Sequence, residues 1–152
     1  MSKVEVKVKR LHPVAEEWDL AYATAHSVGL DLRACLDEEE AVIQPGGRLA
    51  VGTGIAIEIL APDTAGFVYS RSGLGTKTGL VVSQGVGVID PDYRGEITVS
   101  LLNISSSRRR IHRGQRIAQL LFMPAFQARI QLAEELGETA RACGGFGHTG
   151  EI

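Results

Sequence analysis

An acid and a phenol, Asp90 and Tyr93, stand close together in the stretch GVGVIDPDYRGEI at residues 85–97. Val86, Val88 and Ile89 predict a strand, and Asp90, Pro91 and Asp92 stop it, so the spacing predicts a β-hairpin turn. Proline fixes φ on such a bend, and Gly87 leaves the main chain open to a flat ligand. A carboxylate on a rigid bend can aim a water molecule, and a tyrosine can pack under a ring. The same residues describe a plain turn with two solvated aspartates and a half-buried tyrosine, and taken alone they leave both readings open.

Four further stretches carry polar residues that a core does not require. In SRSGLGTKTGL, residues 70–80, Arg71 and Ser72 run directly into Gly73 and Gly75. Main-chain N–H groups freed by glycine, a hydroxyl and a guanidinium together resemble a phosphate cradle more than a plain glycine-rich loop. It is not a Walker A loop, because Lys77 is misplaced for the Gly-Lys-Ser/Thr ending. In AHSVGLDLRA, residues 25–34, Asp31 emerges between Leu30 and Leu32. It either caps a turn with Arg33 as its surface partner, or holds water on a hard divalent cation that rides on a polyphosphate.

In RGQRIAQLLF, residues 113–122, strand alternation puts Gln119 on a face with Ile117 and Leu121. A buried amide there needs partners, from the core or from a ligand. The chain ends in ARACGGFGHTG, residues 140–150, too rich in glycine to order itself at a cost of about 1–2 kcal/mol per residue. Arg141, Phe146, His148 and Thr149 on such an arm suit a lid over a nucleotide better than a frayed end.

The elements that position these residues read as strands. Residues 4–11 alternate with Val4, Val6 and Val8 on one face, predicting a half-buried strand. Residues 49–59 repeat the pattern over a longer reach, and residues 126–132 repeat it near the end. Short apolar segments at 41–43, 67–69, 80–82 and 97–104 lie between Gly, Pro, Asp and Ser clusters. Many short strands without a long helical period predict an all-β sandwich or barrel. Helical turns are expected only near residues 15–22 and Thr76, and Arg108, Arg109 and Arg110 at an exposed hairpin tip.

A chain of 152 residues is expected to form one domain, here a β core over 1–139 with a flexible arm over 140–152. Its net charge of −2 provides no field for nucleic acid or an anionic membrane, so an anion must be held by local cations. Cys35 and Cys143 form no CxxC pair, no signal-peptide pattern is evident, and no apolar run approaches the roughly 20 residues of a membrane helix. A soluble, cytoplasmic protein is expected. His12, His26, His112 and His148 show no zinc spacing, and no acyl-transfer nucleophile motif is present.

In this order and at these separations, the five stretches resemble the five motifs of the trimeric dUTPase family, from about Tyr22 to Gly150. The resemblance implies a jelly-roll-like distorted β-barrel and a homotrimer with shared active sites, where one subunit's arm closes over a neighbour's site. It implies Mg2+-assisted hydrolysis of dUTP to dUMP and pyrophosphate, which limits uracil in DNA and supplies dUMP for thymidylate synthesis. Asp90 then activates the water that attacks the α-phosphorus, and Tyr93 packs on the deoxyribose. Main chain at Gly87, Val88 and Ile89, with Gln84 beside it, reads the uracil edge. Arg71, Ser72, Gly73 and Gln119 hold phosphates, Arg141 clamps the γ end, Phe146 covers the base, and His148 and Thr149 belong to the same arm. Asp31 reaches the metal through water. Two departures stand out: Gln84 replaces the asparagine usual in bacterial relatives, and Ala142 and Cys143 replace the usual start with glycine, stiffening the arm. The related dCTP deaminases are the nearest competing resemblance, and a regulator that binds dUTP without cleaving it competes from outside the enzymes.

Overall fold

The computed structural model describes residues 3–145. The described residues form an all-β body, as expected. Its strands are β1 (Val6–Arg10), β2 (Leu30–Arg33), β3 (Glu40–Ile43), β4 (Arg48–Gly52), β5 (Ile55–Ile59), β6 (Thr64–Ser70), β7 (Leu80–Val82), β8 (Val86–Ile89), β9 (Thr98–Asn103), β10 (Arg109–His112) and β11 (Arg116–Pro124). Every pairing among them is antiparallel. The largest sheet runs β2-β11-β6-β8, a second runs β4-β9-β7, and β1 with β5 and β10 with β3 form two ribbons. Leu32, Val51, Ile97, Leu101, Ile111, Ile117 and Leu120 fill the space between them and are nearly or wholly inaccessible.

Alternation over residues 49–59 survives a corner that it cannot reveal. The run breaks at Thr53 and Gly54, after which β4 pairs with β9 while β5 pairs with β1. Gly54 has φ +69°, and a Cβ there would come within 2.8 Å of both Ala15 Cβ and Cys35 Sγ. Glycine is the residue that turns left-handed against such a wall.

The expected hairpin at Asp90 is likewise a crossover. Strand β8 pairs with β6 and β9 with β4 and β7, so residues 90–97 pass from one sheet to the other. The helical turn expected over 15–22 forms earlier and shorter, as a 3₁₀ helix at Pro13–Glu17, and the one expected near Thr76 is α1 at Ser72–Thr78, closed by Gly79 at φ +72°. The His12 ring caps the first by accepting from the Val14 N–H. Arg109 and Arg110 belong to β10 and not to a hairpin tip; serines 105–107 make the turn, and Arg110 pairs with Glu40.

One apolar face is only partly covered and another is exposed among the described residues. Val4 and Val8 remain 38% and 39% exposed, so the first strand is less buried than its pattern predicts. No ladder forms over residues 126–132, where Phe126, Ile130 and Leu132 are 84%, 79% and 98% exposed. Alternation marks a segment fit to pair, and pairing needs a free edge.

Asn103, wholly buried, locks the turn between β9 and β10. Its Nδ2 donates to Ile43 O (2.9 Å) and Ser107 O (2.8 Å), and its Oδ1 accepts from the Ser105 N–H and hydroxyl. An Asn103→Leu variant leaves those partners unpaired and is expected to lose about 3 kcal/mol of stability. Urea denaturation at constant m-value measures it, and a loss below about 1 kcal/mol contradicts this account.

Candidate active site

Strand register brings Asp31, Gln119 and Tyr69 side by side across β2, β11 and β6. Asp31 shares a cleft of about 750 Å³ with Arg71, Ser72, Gly73, Arg116, Gln119 and Lys77. Its Oδ1 accepts from Arg71 Nε at 2.9 Å, and its Oδ2 lies 3.3 Å from Arg116 Nε. One carboxylate therefore separates two guanidiniums, and the expected pairing with Arg33 does not occur. Arg33 instead donates to Gly114 O at 2.8 Å.

Gln119 is half-buried, and its Nε2 donates to Ser70 O at 3.2 Å. The bulge where β11 slips against β2, between Arg116 and Ala118, explains why the neighbouring Ile117 is buried while Gln119 opens to the cleft. Gly29 makes room for it, since a Cβ at that position would lie 2.6 Å from Gln119 Oε1. Ser72 and Gly73 occupy the first turn of α1, where backbone N–H groups have no helical acceptor. Arg116 and Lys77, which line the same cleft, were not singled out from sequence; Arg116 sits beside Gln119 in the very stretch that was.

Asp90 and Tyr93 line a separate cleft of about 210 Å³ with Val88, Ile89, Glu96 and Thr98, and no residue lines both clefts. Asp90 is exposed, and its carbonyl accepts from the Tyr93 N–H at 3.1 Å. Tyr93 donates its hydroxyl to Glu96 O at 3.0 Å, and the ring lies over Gly95. Gln84 sits over Gly87, its Nε2 3.4 Å from where a Cβ would be, and accepts from the Ser83 hydroxyl.

Glu96, also missed, accepts from the Gly54 N–H at 2.7 Å. Burial first, then the charges of Glu96 and Asp37, push the Cys35 thiol above its usual pKa. That thiol is therefore a poor nucleophile at neutral pH.

Arg141 lies in exposed turns, its Nε donating to Gly144 O at 2.8 Å, away from both clefts. Ala142 has φ +43°, a conformation glycine adopts without strain. Phe146, His148 and Thr149 lie outside the described residues.

Among the described residues, no group of three or more His, Cys, Asp or Glu side chains could hold a metal ion. Asp31 is the cleft's sole carboxylate among the described residues, and both of its oxygens face guanidiniums. That donor set fits only a cation whose remaining ligands are water and a bound polyphosphate.

The class defined by these features is an antiparallel β protein with a cationic cleft at the end of its largest sheet. The family model for dUTPase matches residues 16–150. A deoxyuridine 5'-triphosphate nucleotidohydrolase of Acinetobacter baumannii is 49% identical over 150 residues, covering 97% of this chain and 99% of the relative. Another from Desulfitobacterium hafniense is 44% identical, covering 99% of each. The chain belongs to the dUTPase family. Its fold is jelly-roll-like, matching a mutant dUTPase of Staphylococcus bacteriophage 80alpha bound to dUpNHpp with a TM-score of 0.84 at 24% identity, over 96% of this chain and 98% of that one. A mutant dUTPase from phage phi11 of S. aureus, described with a structural Mg(II) ion, matches with a TM-score of 0.76 at 21% identity, over 88% and 99%.

Replacing Asp31 by Asn leaves Arg71 and Arg116 without their shared counter-charge. The melting temperature of that variant is expected to fall in low-salt buffer and to recover when sulfate is added, because an anion then takes the carboxylate's place. Thermal melts at matched ionic strength, with sulfate against chloride, test this; equal recovery in both salts points to screening alone.

Proposed function

We propose that this chain hydrolyses dUTP to dUMP and pyrophosphate, which limits uracil in DNA and supplies dUMP for thymidylate synthesis. The observation that carries the reading is the cleft in which Arg71, Arg116 and Gln119 gather around one carboxylate, in a chain of the dUTPase family. Arg71, Ser72, Gly73 and Gln119 bind and orient the triphosphate. Backbone at Gly87, Val88 and Ile89, with Gln84, reads the base, and Tyr93 packs on the deoxyribose.

Asp90 takes a proton from a water that attacks the α-phosphorus; a new P–O bond forms, the bond to the bridging oxygen breaks, and pyrophosphate leaves with the electron pair. General-base help of this kind is worth about 10²- to 10⁴-fold. Asp31 would hold Mg2+ through water, and the ion would supply charge neutralisation on the triphosphate. The arm at 140–152, with Arg141, Phe146, His148 and Thr149, closes over the nucleotide and is set apart from the core at 1–139.

A homotrimer with shared sites completes this picture. Two features of the single chain support it: the Asp90 cleft and the cationic cleft have no common residue, and the apolar face over residues 126–132 is exposed. A second copy reconciles both, bringing Asp90 to another subunit's phosphates. No described helix is long and apolar enough to cross a membrane, and both cysteines are free, which supports a cytoplasmic site of action.

Offering dUTP, dCTP, dTTP and UTP with Mg2+ tests the reaction: pyrophosphate from dUTP is expected, whereas ammonia from dCTP indicates a deaminase. Binding of dUTP without any product indicates a regulator. Asp90→Asn is expected to retain dUTP affinity by calorimetry and to lose turnover by at least about 10²-fold. Truncation after Thr139 is expected to leave the circular dichroism of the β body intact while removing efficient catalysis, and an undiminished rate makes the arm a bystander.

A further inference from the structure

Residues 90–97 cross between two sheets, so neither ladder by itself fixes the middle of the segment. Glu96 ties it to the body of the protein. Its side-chain Oε1 accepts from the Gly54 N–H at 2.7 Å, and its main-chain oxygen accepts from the Tyr93 hydroxyl at 3.0 Å. The corner on the far side is rigid. Gly54 O accepts from the Leu11 N–H at 2.8 Å, Thr53 donates its N–H and its hydroxyl to Ile97 O, and Gly54 is walled in by Ala15 and Cys35.

From that corner a continuous chain of hydrogen bonds runs through Glu96 to Tyr93, and from the Tyr93 N–H to Asp90 O. Arg94 braces the outer side of the same turn, donating to Pro91 O at 2.6 Å and Tyr93 O at 3.1 Å while its other nitrogen pairs with Glu58 at 3.5 Å. Arg94 and Glu58 are both on the surface, where an ion pair holds little. A charge-assisted bond to a partly buried N–H holds more firmly.

We propose that Glu96 is a positioning residue that sets the pose of the Tyr93 ring and thereby the preference for a 2′-deoxyribose over a ribose. This rests on the reaction assigned above. Removing the side-chain acceptor leaves the Gly54 N–H unpaired and loosens the Cα end of the Glu96 carbonyl that holds the phenol, while the other end of that peptide stays bonded through the Ile97 N–H to Ile55 O at 2.9 Å. The ring then gains freedom to tilt, and a ring proposed to pack on the deoxyribose leaves no room for a 2′-hydroxyl only while it stays in place. Misplacement by about 1 Å at a reacting centre can cost about 10²-fold in rate, and selection between two close substrates is at least as sensitive.

The test compares Glu96→Ala, Glu96→Asp and Glu96→Gln in kcat/KM for dUTP and in the inhibition constant of UTP against dUTP. Alanine lacks the acceptor and aspartate is one methylene too short, so both are expected to lower the dUTP preference by about tenfold or more. Glutamine keeps an accepting oxygen at the same reach and is expected to stay within about threefold of the native preference. A merely destabilised protein loses active sites for both nucleotides alike and leaves the preference untouched, so this readout separates positioning from folding. If the alanine variant does not fold, the aspartate and glutamine variants decide.

An unchanged preference in the aspartate variant, beside an active native enzyme, overturns the role of Glu96 alone. A native protein that releases no pyrophosphate from dUTP overturns the assigned reaction and this inference with it.

Discussion

Two guanidiniums cannot converge on one small space without an opposing charge, and Asp31 supplies it. Its two oxygens separate Arg71, at the end of β6, from Arg116, at the start of β11. Nothing local joins these residues; the antiparallel ladder of β2, β11 and β6 does. Leu30 and Leu32 anchor β2 in the core, which leaves Asp31 facing outward between them. The carboxylate thus keeps two cations poised in one cleft, which suits the proposed binding of a polyphosphate there.

Sheet connectivity governs the other half of the chemistry. Because β8 and β9 belong to different sheets, the segment between them is drawn out as a bridge, with Asp90 and Tyr93 exposed at its start and Ile97 wholly buried at its end. The exposed end faces solvent, and the buried end is bonded to the β4–β5 corner. Rigidity on one side and exposure on the other suit the general-base role proposed for Asp90, since such aim depends on the anchoring of residues that never touch the reaction.

The apolar alternation at 126–132 bears on the same question. Segments patterned for pairing and left exposed in one chain are surfaces that a second copy can cover. Two clefts without a shared lining residue and a strand-like segment without a partner edge are the two features that the proposed homotrimer brings together.

Much of this was readable before any fold was known. Hydrophobic alternation located β1, β4 and β5, short apolar segments located β3, β6, β7 and β9, and glycine with proline located their ends. Chemical type at Asp31, Arg71, Gln119, Asp90 and Tyr93 identified the polar residues that a core does not need. Those signals are local, and they report what each residue can do.

Who meets whom was not legible. Asp31 takes Arg71 and Arg116 as partners and not Arg33; Glu96 reaches Gly54; the Asp90 bend is a crossover and not a hairpin. Each follows from register and sheet order, which join residues far apart in the chain. Period-2 alternation is identical on either side of a corner, so it cannot say which edge a strand will find. Residue chemistry was therefore determined by the sequence alone, and the geometry that lets the chemistry act was decided only when the strands paired.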